Sequence, residues 1–293
     1  MLYAVIPPYR SGVVEDPDWM AGFARHAEKV GIESIVVVEH GVIISGYQSR
    51  YPYSTSGRMP LADRCSVPDP LELLSFLAGV TETLVLATGA LVIPEHHPVL
   101  LAKRLATLDR LSKGRVRICG GVGWMREELE ACGVDFSTRG RRMDECIDVM
   151  RLLWGEEPDG GLSYEGEFFR FDAVHSNPKP FRSTGVPIHI AGHSNAAARR
   201  AGSRGDGLQP LGLDGPELDA CVATMRQAAL DAGRDPSVLE LSLGAPMAGF
   251  GHHELERLTQ LGADRIVLSS TQTTDLAQIC DEMSEFATRV GLS

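Results

Sequence analysis

The chain has few lysines, only four in 293 residues, at positions 29, 103, 113 and 179. None of them falls at the carboxyl end of a predicted strand, where a barrel enzyme keeps its active site. An aldolase that forms a Schiff base needs such a lysine, so this class of enzyme is disfavoured. The chain also lacks a GxSxG nucleophile motif, and no GxGxxG follows its first predicted strand.

Long apolar runs and paired cysteines are absent too. No run approaches the roughly 20 residues of a membrane span. Residues 1–6 are too short and uncharged for a signal peptide, and they predict a first strand. The six cysteines contain no CxxC pair, which indicates reduced cysteines in a cytoplasmic protein.

Positively charged residues are fewer than negatively charged ones. The chain has 28 lysines and arginines against 39 aspartates and glutamates, so its formal net charge is −11, and its basic residues are scattered. This balance disfavours nucleic acid and anionic membranes as partners. We therefore expect a small-molecule ligand.

What the sequence does contain is a regular alternation of apolar strand patterns and amphipathic helix patterns. The clearest unit, residues 84–123, holds a strand, a turn with two histidines, a helix and a second strand that ends in glycines. Strands are predicted at 2–6, 34–38, 84–93, 115–119, 188–191, 207–209, 239–244 and 265–268, and a helix follows each. Eight such pairs predict one (β/α)8 barrel domain over residues 1–293, with a doubly wound sheet as the alternative.

Two segments interrupt this rhythm. Residues 155–187 are predicted to form an insertion in the barrel, and YEGEFFRF within them predicts a hairpin. Residues 41–68 form a long polar loop rich in Tyr, Ser, Arg and Pro. Long loops without secondary structure are uncommon in compact domains and are often functional.

Candidate chemistry lies at the predicted strand ends. Glu39 and His40 directly follow an apolar strand, where such a pair can exchange a proton near neutral pH or simply close a strand. Gly192-His193-Ser194 joins a strand to a helix, so free backbone N–H groups there predict an anion site, with an ordinary helix cap as the alternative. Trp124 follows a glycine-rich strand end and could flank a flat ring or cover the rim.

A metal site is not predicted. His96 and His97 precede a helix start, and no HxH motif follows the first strand. Gly89 and Ala90 are small residues inside an apolar strand, a pattern typical of a bulge or of close approach by a ligand.

Beyond these features, the chain resembles the luciferase-like monooxygenase superfamily, in particular its branch that uses the deazaflavin coenzyme F420. The resemblance rests on VVVEHGVII (36–44), YPYSTSGR (51–58), LATGALVIPEHHPVLLAKRLATLDRLSKGRVRICGGVGW (86–124), FSTRGRRMDE (136–145), YEGEFFRF (164–171), NPKP (177–180) and IAGHSNAAARRAGSRGDG (190–207).

The resemblance implies a barrel with a deazaflavin or flavin lying across its strand ends. It also implies a non-prolyl cis peptide between Gly89 and Ala90, behind the middle of the tricyclic ring. The implied cofactor-binding residues are Gly89, Ala90, Gly121, Val122, Gly123 and Trp124, with Gly192, His193 and Ser194 at the phosphate tail.

The function that the resemblance implies is hydride transfer between F420 and a small organic substrate. His40, tuned by Glu39, would supply or remove the accompanying proton. The substrate contacts are predicted at Tyr47, Arg50, Tyr51, Tyr53 and Arg58. Relatives are often dimers, so a homodimer is expected. An FMN-dependent monooxygenase and a non-catalytic F420- or flavin-binding protein are the alternatives.

The chain departs from the family pattern at three places. Leu208 replaces the usual Trp after GDG, and Gln209 follows where His is common. Cys119-Gly120-Gly121 lacks the bulky residue that more often separates the glycines. We expect these differences to reshape the substrate pocket.

Overall fold

The computed structural model describes residues 1–292 and contains a closed parallel barrel with helices between its strands. The strands are β1 (Leu2–Ile6), β2 (Ser34–Val37), β3 (Val85–Thr88), β4 (Leu91–Val92), β5 (Val116–Gly121), β6 (Leu162–Glu165), β7 (Arg170–Val174), β8 (Ile188–Ala191), β9 (Gly207–Gln209), β10 (Glu240–Pro246) and β11 (Arg265–Ser269). The helices are α1 (Pro17–Lys29), α2 (Pro70–Ala78), α3 (Pro98–Leu111), α4 (Arg126–Ala131), α5 (Arg139–Trp154), α6 (Asn195–Arg204), α7 (Gly215–Asp231), α8 (His252–Gln260) and α9 (Leu276–Val290).

Eight parallel strands close the barrel in the order β1, β2, β3, β5, β8, β9, β10 and β11. The predicted barrel is therefore confirmed, and the doubly wound alternative is wrong. The predicted strand at 84–93 is divided, because a bulge separates β3 from the short β4 that pairs with the end of β5. Within residues 1–292, no helix is long and apolar enough to cross a bilayer.

The interruptions fall where the sequence places them. The hairpin of β6 and β7 lies in the insertion between α5 and β8. Residues 41–68 contain neither helix nor strand and run from β2 towards α2. Both lie outside the regular barrel, and the 41–68 loop reaches over the carboxyl ends of the strands.

The amino-terminal end of the barrel interior is filled by a buried ion network. Arg265 donates to Glu33 at 3.0 Å and to Glu240 at 2.6 Å, and Arg117 donates to Glu33 at 2.9 Å. The His189 ring lies beside this network, with its Nε2 at 3.6 Å from the Glu240 carboxylate. Burial and the two arginines hold the pKa of His189 well below its usual range, so the ring is neutral.

This neutral histidine predicts acid sensitivity. Below a pH of about 6.5 the unfolded chain protonates this histidine and the folded chain does not, so the free energy of unfolding falls as pH drops. Urea denaturation between about pH 8 and about pH 5 measures the slope. We expect the decline to be shallower in His189→Gln. A decline of equal steepness in both proteins would contradict the assignment.

Gly202 determines how closely α6 approaches α7. A Cβ at this position would lie 2.1 Å from the carbonyl oxygen of Met225 and 2.8 Å from the Cβ of Ala228. We expect Gly202→Ala to lower the free energy of unfolding by about 1–3 kcal/mol, because backbone atoms must shift. Gly79→Ala is the matched control, since its nearest atom would be 3.5 Å away and its φ is −79°. Equal stability of the two variants in urea would refute the close contact.

Candidate active site

A large cavity of about 930 Å³ opens at the carboxyl ends of the barrel strands. Its walls come from the segments after β1, β2, β5 and β8, together with the 41–68 loop. Ligand pockets for small molecules and cofactors fall in the range of roughly 300–1,000 Å³. The position matches the mouth at which (β/α)8 barrels build their active sites.

The floor of the cavity is made of very small residues. Gly89, Ala90 and Gly121 line it, and the Gly89–Ala90 peptide is cis, as predicted. A Cβ on Gly121 would lie 3.3 Å from the Cβ of Ala90, and a Cβ on Gly89 would lie 2.5 Å from Val36. Larger residues here would collide or rise into the cavity, so the sequence maintains a flat, apolar bed.

His40 lies at one side of this bed. Its Nδ1 is 3.0 and 3.1 Å from the two carboxylate oxygens of Glu128, a buried residue of α4. Its ring also meets the edge of Trp124, with centroids 6.4 Å apart. Both His40 and Trp124 line the cavity, as predicted.

The predicted pairing of Glu39 with His40 is wrong. Glu39 is 8% exposed, accepts a hydrogen bond from the backbone N–H of Val92, and bonds His96 Nε2 at 2.9 Å. Consecutive residues after a strand point to opposite sides, so adjacent positions in the chain need not form a pair. Glu39 also lines the cavity, and its two hydrogen bonds hold the segment after the bulge against the end of β2.

His96 therefore has a partner in the protein. Among residues 1–292, no group of three His, Cys, Asp or Glu side chains is placed to hold a metal ion. The nearby Glu95 has its pKa raised to about 8, by burial first and then by the neighbouring carboxylates of Glu128 and Glu39. The acidic side of the cavity thus contains one carboxyl group that is protonated at neutral pH.

A positively polarised region also lines the cavity. Ser194 caps α6 by accepting the N–H of Ala197 at 3.1 Å, and this helix start lines the cavity beside Gly192 and His193. Free N–H groups and the helix dipole make such a start attractive to an anion. The three residues predicted for the phosphate tail are thus brought together.

Two arginines that the sequence analysis left without a role also bring positive charge to the cavity. The guanidinium carbons of Arg139 and Arg126 lie 3.6 and 4.4 Å from the centre of the Phe136 ring, and all three residues line the cavity. Arg139 Nε is buried and lacks a hydrogen-bond partner among the described residues. Burial, followed by the charge of Arg126, lowers the pKa of Arg139. An anion between the two guanidinium groups would accept a hydrogen bond from the buried Nε and would offset the repulsion between the two positive charges.

The 41–68 loop covers the bed with aromatic rings. Tyr51 meets Trp124 edge-on at 5.0 Å, Tyr53 meets His193 at 5.3 Å, and Arg50 lies at the mouth. Burial raises the pKa of Tyr53 to about 12, so its hydroxyl stays protonated. Glu127 of α4 fastens the loop by accepting from Ser49 Oγ at 2.7 Å.

Two predicted substrate contacts, Tyr47 and Arg58, lie within the loop structure instead. The Tyr47 hydroxyl accepts the N–H of Met59 at 2.8 Å, and the side chain is buried. Arg58 donates to the Tyr47 carbonyl at 2.8 Å and covers the Tyr47 ring. Both residues stabilise the loop itself. Their positions in the sequence relative to Tyr51, which does line the cavity, give no sign of this difference. Other lining residues not found from the sequence are Tyr9, Arg10, Leu61 and Gln272.

Comparison with known proteins agrees with this geometry. The luciferase-like monooxygenase domain profile matches residues 4–250. The chain therefore belongs to the luciferase-like monooxygenase family. An uncharacterised protein of Mycobacterium tuberculosis is 36% identical over 226 residues, which cover 76% of this chain and 78% of that protein.

Two further likenesses are to an F420-dependent dehydrogenase and to a monooxygenase. The F420-dependent glucose-6-phosphate dehydrogenase of Segniliparus rotundus is 29% identical over 228 residues, covering 75% of this chain and 61% of that enzyme. The crystal structure of a monooxygenase from Streptomyces bottropensis superposes with a TM-score of 0.76 at 21% identity, covering 99% of this chain and 98% of that one. The second likeness is one of fold.

Of the residues that depart from the luciferase-like pattern, Gly121 lines the cavity floor, whereas Leu208, Gln209 and Cys119 lie beneath it. Leu208 and Gln209 are buried, and Gln209 Nε2 would be 3.7 Å from a Cβ on Gly89. Cys119 is buried, and its backbone exchanges two hydrogen bonds with the Thr88 hydroxyl. Among the described residues, Leu208, Gln209 and Cys119 support the bed from below and do not line the cavity. These three residues can therefore change the substrate pocket only through the bed.

Proposed function

We propose that the protein is an oxidoreductase that transfers a hydride between coenzyme F420 and a small organic substrate at the barrel mouth. The observation that carries the proposal is the arrangement of one cavity. The bed of small residues, the partly buried imidazole of His40 and the anion-attracting start of α6 all line this cavity. A planar ring with a phosphate-bearing tail has this shape and this charge distribution.

The chain's own residues suit such a cofactor. Gly89, Ala90 and Gly121 would support the ring, because they line the cavity and carry no side chain larger than a methyl group. Ser194 and the α6 start would receive the phosphate, and Arg139 would gain the partner that its buried Nε lacks. Arg126, which forms an exposed ion pair with Glu130 at 3.3 Å, would exchange this partner for a further acidic group of the tail.

When bound, a deazaflavin accepts or donates a hydride at its central ring. His40 would take the substrate proton at Nε2 in one direction and return it in the other, since Nδ1 already contacts Glu128. Trp124, Tyr51 and Tyr53 would cover the ring and exclude water. Arg50 would contact the substrate at the mouth.

The choice of F420 rests on the Segniliparus enzyme and on the second arginine, because FMN offers one phosphate and F420 adds carboxylates. Reduced FMN with oxygen is the second candidate, since its ring would suit the same bed. A binding protein without catalysis is the third. The experiment is an anaerobic fluorescence titration of the apo-protein with each cofactor, followed by a spectroscopic search for hydride transfer with alcohols, aldehydes and enones.

Tight F420 binding with substrate-dependent bleaching of its absorbance would support the proposal. Binding of FMN alone, with oxygen consumption, would replace it by the second candidate. F420 binding without turnover would favour the third. The homodimer stays a prediction, for which Phe76 of α2 and Leu100 of α3 are exposed apolar candidates, and light scattering measures it.

A further inference from the structure

A cluster of three glutamates lies next to His40. Glu39 comes from the end of β2, Glu95 from the turn after β4, and Glu128 from α4. The cluster contains two histidine–carboxylate contacts, His40 with Glu128 and His96 with Glu39. Glu95 has neither a histidine nor an arginine partner among the described residues.

The Glu128 contact determines which nitrogen of His40 can react. Both carboxylate oxygens of Glu128 lie within 3.1 Å of Nδ1, and the carboxylate is buried. A carboxylate can only accept, so the proton of the neutral ring resides on Nδ1. Nε2 is then an unprotonated base, free to act on a ligand in the cavity.

Glu95 is the remaining carboxyl group of the cluster. Its Oε1 is buried without a hydrogen-bond partner, and its Oε2 lies beside the Cys132 thiol. The groups that face it are the carboxylates of Glu39 and Glu128 and that thiol, while Arg142 is engaged by the carbonyl of Pro94. Two carboxylates and burial raise the pKa of Glu95 to about 8, which keeps it neutral at pH 7.

We propose that Glu128 is the positioning residue of His40, and that Glu95 must remain a neutral acid for this pair to work. This inference rests on the proposed function and deepens it. One negative charge behind His40 stabilises the imidazolium that forms when Nε2 takes a proton. Glu39 is already paired with His96 at 2.9 Å. A charge on Glu95, which has no such partner among the described residues, would hold that proton too strongly and would slow its return. The site is then switched off as the pH rises through the range in which Glu95 ionises.

The first test reads the His40 tautomer in the apo-protein by nitrogen-15 NMR, so it needs no activity. We expect Nδ1–H in the wild type and a mixture of tautomers in Glu128→Gln, since an amide both accepts and donates. Glu39→Gln is the matched control, which should alter the His96 signals and leave those of His40 unchanged. An unchanged His40 tautomer in Glu128→Gln would overturn the positioning role.

The second test follows pH. The His40 signals of the wild type should show an inflection near pH 8, which Glu95→Gln removes and Glu130→Gln, an exposed change on α4, retains. Turnover should fall above the same pH only where Glu95 is present, and Glu128→Gln should lower kcat at least about tenfold with little change in cofactor KM. Persistence of the inflection in Glu95→Gln would overturn its role. Absence of turnover in every protein would reject the proposed function and leave the NMR outcome decisive for the cluster.

Discussion

Replacing His40 with alanine lowers kcat by about 10²- to 10⁴-fold while the Kd of the cofactor changes less than about twofold. The expectation follows from the placement of the ring, beside the bed and not at the anion-attracting end. The imidazole would act on the proton of the substrate and would make little contact with the cofactor tail. Steady-state kinetics at saturating cofactor, with fluorescence titration of the same preparation, gives both quantities.

The matched control for this variant is His252→Ala. His252 lies on α8, and its side chain is 82% exposed, so its removal changes one histidine without reaching the cavity. We expect wild-type turnover from this control. If His40→Ala also retained wild-type turnover, another group would have to move the proton, and the assignment of His40 would be rejected.

Arg139→Gln should raise the Kd of the cofactor by about 10- to 150-fold, while kcat at saturating cofactor is largely retained. A hydrogen bond from a charged donor is worth about 1.5–3 kcal/mol, which corresponds to this range. The buried Nε of Arg139 lacks a partner among residues 1–292, but its Nη1 donates to the carbonyl of Phe136 at 2.7 Å. The free energy of unfolding of the apo-protein should therefore fall by about 1 kcal/mol in this variant. Binding should also become less sensitive to salt.

Arg141→Gln provides the matched control for charge. Arg141 is two residues away, its side chain is 62% exposed, and its guanidinium forms an ion pair with Glu167. The net charge changes equally in both variants, so only a local contact can separate them. An equal rise of Kd in the two variants would indicate a general electrostatic effect and would contradict a phosphate contact at Arg139.

Most of the fold follows from short-range patterns. Apolar runs such as Ser34–Val37 mark strands buried on both faces, and aspartates such as Asp16 and Asp69 cap the helices that follow. Such signals determine the order of the elements and hence the barrel. The division of the third strand into β3 and β4 is less visible, because the small residues Gly89 and Ala90 indicate either a bulge or a ligand contact, and only the resemblance implied the cis peptide between them.

The candidate site was predictable as far as the strand ends and no further. His40 and Ser194 directly follow strands, so the barrel rule brings them to one mouth. Glu128 contacts His40 from 88 positions later in the chain, and periodicity contains no information about such a contact. The role of Arg139 likewise depends on its contact with the Phe136 ring and on the burial of its Nε, which the sequence does not show. The roles of Glu128 and Arg139 depend on side-chain direction and on desolvation, which follow from the folded structure and not from the sequence pattern.

The most direct test of the central claim is a crystal structure of the protein soaked with F420. The account predicts the tricyclic ring packed on Gly89 and Ala90, with its phosphate at Ser194 and Arg139 and its reactive edge facing His40 Nε2. Electron density for F420 elsewhere on the barrel, or an empty cavity at a concentration that saturates the protein in solution, would contradict the account.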